Sequence, residues 1–274
     1  MSRYTDYTEV AKHYDGTRVP VGAEILIGLL ARLGASGSRV RLLDAGCGTG
    51  AYSELALAHV DHIDAIDLNE GMLAVARGKF DDGDRIAFHQ GSIEALPFEA
   101  ACFDAVMYNQ VLHHLEPGDG TDFPGHRAAL AEAHRVLRPG GLVIVNTTIH
   151  EQLRQGFWYL ALIPATAEAF FQRCISTSAL EAILVENGFE LEGRSVPLDG
   201  VLSGEAYFDA EGPLNPAWRA GESSWSLASV AEVSAAEETL HQLRTSGGLD
   251  AYMAEQDAGR RRVGQTTYFV ARRA

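Results

Sequence analysis

Nine residues, Leu42-Leu43-Asp44-Ala45-Gly46-Cys47-Gly48-Thr49-Gly50, constrain this chain more than any other stretch. The apolar run before Gly46 reads as a buried strand. The alternating glycines let the backbone turn tightly and let a ligand approach the main chain without Cβ clashes. The helix expected next offers free N–H groups and a positive dipole end to an anion. Asp67 closes the next apolar run, where a carboxylate can accept both hydroxyls of a ribose. A G-x-G-x-x-G turn would leave room for a pyrophosphate. Here the spacing is G-x-G-x-G, and Asp44 stands two residues before the first glycine. A carboxylate there disfavours a pyrophosphate and suits a ligand that carries an ammonium group and a single carboxylate.

The rest of the first two-thirds alternates strand and helix signals. Apolar runs at 40–44, 63–67, 86–90, 103–108 and 142–148 read as five strands, and 189–196 as a sixth. Helical spacing of apolar residues marks 23–33, a helix from Glu70 that Asn69 can cap, 127–137, and 178–187. Pro139-Gly140-Gly141 is expected to stop the third of these before its strand. Such alternation predicts an α/β fold with a doubly wound, mostly parallel seven-stranded sheet. Helical stretches at 227–243 and 249–256 then precede a last strand at 265–272. A helical cap inserted before that strand is therefore expected. The organisation read from this is an N-terminal helical lid segment at 1–35, an α/β core at 36–197, a substrate cap at 198–263, and the core's last strand at 264–274.

The chain has 274 residues, 46% of them hydrophobic and 22% charged, enough for a sizeable core without staples. The net charge is −15, and residues 180–259 hold 15 acids against three bases, which accounts for −12 of it. Such a face repels phosphate, so nucleic-acid binding is not expected. It could attract a cationic substrate or act simply as a solvated surface. No run of 18 apolar residues occurs, so no membrane span is expected. MSRYTDYTEV lacks the form of a secretory leader. Cys47, Cys102 and Cys174 form no C-x-x-C pair, which argues against a zinc site or redox motif and for a cytoplasmic chain with free thiols. No residues stand at metal-ligand spacing.

Four further motifs follow the glycine loop in order. They are Gly91-Ser92-Ile93-Glu94-Ala95-Leu96-Pro97-Phe98, Phe103-Asp104-Ala105-Val106, Val111-Leu112-His113-His114-Leu115 and Leu137-Arg138-Pro139-Gly140-Gly141. With them the chain resembles, over residues 40–196, the class I S-adenosylmethionine (SAM)-dependent methyltransferases. The resemblance is to the small-molecule type related to the ubiquinone and menaquinone C-methyltransferases.

That resemblance implies methyl transfer from SAM to a small-molecule acceptor, with S-adenosylhomocysteine as product. It implies cofactor contacts from Asp44, Gly46, Cys47, Gly48 and Gly50, then Asp67, Leu68 and Met72, then Gly91, Ser92 and Ile93, and finally Asn109, Gln110 and His114. Ser92 departs from the family's usual Asp, so the adenine contact should be weaker or differently arranged. Upstream, Tyr14-Asp15 and Arg18 resemble a Y-D-x-x-R segment whose helix closes over the cofactor in relatives. This puts Tyr14 near the methyl group and Arg18 near the methionine carboxylate.

His113, His114 and Tyr14 are the catalytic candidates, with His150 a further candidate base. Adjacent histidines point about 100° apart if that segment is helical, so at most one of the pair is expected to face the substrate. Trp158, Tyr159, Phe170, Phe171, Tyr207, Phe208, Trp218, Trp225 and Tyr252 can form either an aromatic wall for the acceptor or the cap's own core. The methylated atom (C, N or O), the pathway and the oligomeric state are not in the motifs. A role with a secondary or specialised metabolite is the expectation. A protein that holds SAM without transferring methyl, and an NAD(P)-dependent oxidoreductase, are the alternatives.

Overall fold

The computed structural model describes residues 18–35, 37, 39–81, 83, 85–118 and 122–274. Tyr14, with the rest of residues 1–17 of the expected lid segment, lies outside the described residues. The strands are β1 (Arg41–Ala45), β2 (His62–Asp67), β3 (Ile86–Gln90), β4 (Phe103–Asn109), β5 (Leu137–Thr147), β6 (Phe189–Ser195) and β7 (Thr267–Arg273). They form one seven-stranded sheet in the order β3-β2-β1-β4-β5-β7-β6. The first five strands are parallel, and β7 runs antiparallel between β5 and β6. This is the expected α/β class. Several boundaries differ by a few residues, and one of these shifts moves a motif. β5 begins at Leu137, so the Pro-Gly-Gly turn lies within the strand segment, with Gly140 at φ +78°.

Helices α1 (Ala23–Gly34), α2 (Ala51–Ala56), α3 (Glu70–Arg77), α4 (Pro124–Val136), α5 (His150–Gln155), α6 (Pro164–Phe171) and α7 (Thr177–Glu186) cover the sheet and its upper rim. Successive residues of the central strands face opposite sides, as the pleat requires. Leu42, Ala105, Met107 and Ile144 pack on one side with Leu26 and Leu30 of α1. Leu43, Val106, Tyr108 and Val145 pack on the other with Leu130 of α4 and Leu184 of α7. Burial on both faces explains why these strands read as continuous apolar runs.

After β6 come α8 (Pro216–Ala220), α9 (Val230–Ser246), α10 (Leu249–Asp257) and α11 (Arg260–Val263). One hydrophobic cluster joins this region, through Tyr207, Trp225 and Leu240, to Trp158, Tyr159 and Phe170 from between β5 and β6. Two stretches of sequence therefore share a single apolar core above the sheet. Among the described residues no helix is long and apolar enough to cross a membrane.

Candidate functional site

The glycine loop leaves β1 with Gly46 at φ +79°, Gly48 at +54° and Gly50 at +80°, values that L side chains rarely adopt. The N–H groups of Gly46 and Cys47 both donate to the Ile66 carbonyl, at 2.8 and 3.0 Å, which ties the loop to β2. A Cβ on Gly46 would stand 2.4 Å from Val111 Cγ2, whereas one on Gly48 would meet nothing within 4 Å. Asp67 braces the loop from the end of β2. Its Oδ2 accepts the Gly48 N–H at 2.9 Å, and its Oδ1 accepts the Asn69 N–H at 2.8 Å. Burial raises its pKa above the ordinary carboxylate value, against those two hydrogen bonds. Asn69 caps α3 through the Met72 N–H, as the sequence suggested.

Asp44 is 1% exposed, and Ser53 Oγ donates to its Oδ2 at 2.6 Å. Its Oδ1 is buried without a hydrogen-bond partner among the described residues. Burial, only partly offset by Ser53, pushes the carboxyl up to about 7. A buried oxygen left unpaired is costly, and a cationic donor arriving beside it would recover that cost. Asn109 Nδ2 is a second buried group without a partner among the described residues, this time a donor.

A cavity of about 640 Å³ opens above this rim, within the range of small-molecule sites. It is bordered by Gly46, Cys47, Gly48, Asp67, Leu68, Met72, Gly91, Ser92, Ile93, Asn109 and Gln110, and also by Arg18, His113 and His114. The structure thus brings these expected residues together. Asp44 and Gly50 stand behind the lining. Gly50 faces α3, where a Cβ would meet Phe80 and Ala76. Ser92 Oγ accepts from the Glu94 N–H at 3.2 Å. The Cys47 thiol is buried, and its pKa is pushed well up by burial and by Asp44, which is wrong for a nucleophile.

Leu153, Phe157, Tyr159, Leu160 and Phe170 line the opposite end of the same cavity. His113 and His114 lie between the two ends on a 3₁₀ turn, Leu112–His114, with ring centroids 4.1 Å apart. Both border the cavity. The tight turn after β4 keeps both rings on the cavity side. His113 also meets Phe170 edge-on at 5.9 Å. Burial first, then the neighbouring His114 and Arg18, hold His113 well below the usual histidine value, so it is neutral at pH 7. His150 is turned away from the lining. Its Nε2 meets the Cys174 carbonyl at 2.7 Å, and its ring stacks on Phe171 at 3.9 Å. Trp158, Tyr207 and Trp225 sit inside the cap core, and Phe208 is exposed.

Arg18 lies at the roof. Its guanidinium grips Glu222 with two hydrogen bonds, 2.9 and 3.1 Å, and donates to Ser203 Oγ at 3.2 Å. Glu222, which the sequence reading missed, is 5% exposed and borders the cavity.

Two histidines, the buried His126 and the half-buried His114, make the fold sensitive to acid. Burial lowers both His114 and His126 to about 4, from 6.5. His126 is fully buried, and neither ring nitrogen has a hydrogen-bond partner among the described residues. The unfolded chain takes up these protons below pH 6.5 while the folded chain resists them to about pH 4. Stability is therefore intact above pH 6.5 and falls across that window, by about 3 kcal/mol for each group. Urea unfolding of the wild type and of His126→Phe at a series of pH values checks this. The variant should lose about one proton's worth of slope between pH 6.5 and 4. An unchanged slope would mean that the folded chain already accommodates a charged His126.

A family model for a methyltransferase domain matches residues 43–145. A malonyl-[acyl-carrier protein] O-methyltransferase of Serratia marcescens is 36% identical over 128 residues, 46% of this chain and 45% of that protein. A demethylmenaquinone methyltransferase of Clavibacter sepedonicus is 34% identical over 143 residues, 51% of this chain and 55% of that one. The chain spans about half the length of these curated relatives. Among solved structures, a protein described as a methyltransferase from an antibiotic biosynthesis pathway of Anabaena variabilis superposes with a TM-score of 0.71. Its identity is 22%, over 93% of this chain and 98% of that one. At that identity the likeness speaks for the fold.

Proposed function

We propose, from the match of residues 43–145 to a methyltransferase-domain model and from the methyltransferases that resemble this chain, that it is a class I SAM-dependent methyltransferase that methylates a small, largely apolar acceptor bearing an ionisable group. The observation that carries the reading is one cavity with two chemically different ends and a neutral histidine between them.

The residues at the glycine-loop end suit SAM. In this reading Asp67 receives the ribose hydroxyls, Gly48 lets the ligand approach the main chain, and Gly91, Ser92 and Ile93 flank the adenine. The unpaired oxygen of Asp44 answers an ammonium group, and the Asn109 amide supplies a donor beside it. When bound, SAM supplies a methyl already activated on a positively charged sulfur. The protein's task is then mainly to hold donor and acceptor together, which is worth roughly 7–11 kcal/mol in well-oriented systems.

At the other end Phe157, Tyr159 and Phe170 offer flat apolar surface, and they favour an aromatic or prenyl-like acceptor. His113, kept neutral, accepts the proton that an acceptor hydroxyl or amine must lose. A specialised metabolite is the acceptor this chamber suits best. Incubation with SAM and a panel of phenols, quinols and amines tests the assignment, with methylated product and S-adenosylhomocysteine measured together. The two should rise in equal amounts. Tight SAM binding with no methylated product from any class would favour a protein that merely holds SAM.

Asp67→Ala should weaken SAM binding roughly 10- to 100-fold, from loss of hydrogen bonds worth about 1–3 kcal/mol each. Calorimetric titration reads this directly, and wild-type affinity in the variant would put the ribose elsewhere.

A further inference from the structure

The roof of the cavity is built from distant parts of the chain that meet on one carboxylate. Glu222 Oε1 accepts from Arg18 at 2.9 Å and from Ser203 Oγ. Its Oε2 accepts from Arg18 at 3.1 Å and from Tyr159 OH at 2.9 Å. Both oxygens are thus doubly satisfied, and Glu222 has no capacity left to act as a base. Glu222 is buried and Arg18 half-buried, and a fork-shaped Arg–carboxylate pair with extra hydrogen bonds fixes the relative orientation of the two segments that carry it.

Residues 18–20 form a short strap. Its far end is anchored, because the Val21 carbonyl accepts from Tyr268 OH at 2.8 Å and from Tyr52 OH at 3.3 Å. Gly22 follows at φ +77°, where a Cβ would strike the Tyr268 ring at 2.5 Å. Beyond that anchor the strap is tied by the Val19 N–H to the Leu202 carbonyl, at 2.9 Å, and by the Arg18 fork. Arg18, Val19 and Pro20 from the strap, and Leu202 and Glu222 from the cap, all border the cavity.

We propose that Glu222 is a latch: its ion pair with Arg18 fastens the strap at 18–20 to the cap, and ligand enters and leaves the cavity when that pair opens. Glu222 is a positioning residue, acting through the strap. The part of the proposal that concerns ligand rests on the SAM reading. The part that concerns the strap does not.

Hydrogen exchange followed by mass spectrometry on the full chain tests the strap without any ligand. In Glu222→Gln, exchange at peptides covering 18–22 and 200–204 should rise at least tenfold, while β4 stays protected. Glu232→Gln removes a different cap carboxylate, one that holds the start of α6 through Ala165 and Thr166. It should leave the strap peptides unchanged. If Glu222→Gln loosens the whole chain, Arg18→Lys, which keeps the charge but loses the fork, replaces it. Unchanged exchange at 18–22 in the folded variant overturns the latch.

Stopped-flow tryptophan fluorescence with S-adenosylhomocysteine then reads the gate. Dissociation should be at least tenfold faster in Glu222→Gln. A loosened strap with an unchanged dissociation rate overturns the gating role. Absence of S-adenosylhomocysteine binding to the wild type, with the exchange results as expected, would sink the cofactor reading and leave the strap standing.

Discussion

His113→Ala should lower kcat by roughly 10²- to 10⁴-fold, the range lost with a general base, while SAM affinity stays within about threefold. The expectation follows from place and charge together. His113 borders the cavity between the cofactor end and Phe170, and its imidazole is neutral at working pH. A base must be unprotonated before it can act. Because burial depresses its pKa, the acid limb of the kcat/KM profile should fall below pH 6.5. Initial rates with a hydroxyl acceptor, beside calorimetry with SAM, decide the matter. Equal losses in kcat and in SAM affinity would reduce His113 to a packing residue. Loss of activity in His114→Ala alone would transfer the role one position along the turn.

Gly46→Val should abolish cofactor binding, with at least a roughly 1,000-fold loss, equivalent to about 4 kcal/mol. Two independent penalties combine. The backbone at φ +79° is hostile to a β-branched residue, and the new Cβ would lie 2.4 Å from Val111 Cγ2. Relief of either strain moves the loop off the Ile66 carbonyl. The sheet beneath is built from other residues, so the far-ultraviolet spectrum should persist. Val111→Ala in the Gly46→Val background should recover only part of the binding, because it removes the clash and leaves the dihedral penalty. A folded Gly46→Val protein that titrates with wild-type affinity would show that the ligand does not rest on this loop.

The parts of the molecule that were legible from the sequence are those set by local rules. A buried strand followed by glycines has few conformations open to it. Asn69, placed before an amphipathic run, fulfilled the cap it was expected to be. Adjacent histidines one turn beyond β4 had to reach the rim where ligands collect. Glu222 was not legible, because it sits in an acid-rich stretch in which most carboxylates face solvent. Its significance comes from Arg18, 204 positions away, and no short-range pattern encodes that distance. The cap was partly hidden for the same reason. Trp158 and Phe170 lie before β6 and Tyr207 and Trp225 after it, and only the fold shows that they share one core. His150 misled because it follows a strand at the correct rim. Its ring is drawn aside by the Cys174 carbonyl and Phe171, partners that the sequence does not reveal.

The position of β7 bears on how the nascent chain survives its own synthesis. β6 has β7 as its neighbour in the sheet, and β5 needs β7 to cover its outer side. Yet roughly 70 residues separate the end of β6 from the start of β7. At about 5–20 residues per second, translation leaves these strand edges uncovered for roughly 4–14 s. During that time the partly made sheet displays the kind of edge on which other chains can pair. The outer strand carries its own defence. Glu190, Glu192 and Arg194 punctuate β6, and Gly193 marks a shift in its register. Charge and irregularity on a waiting strand discourage the wrong partner until the right one emerges.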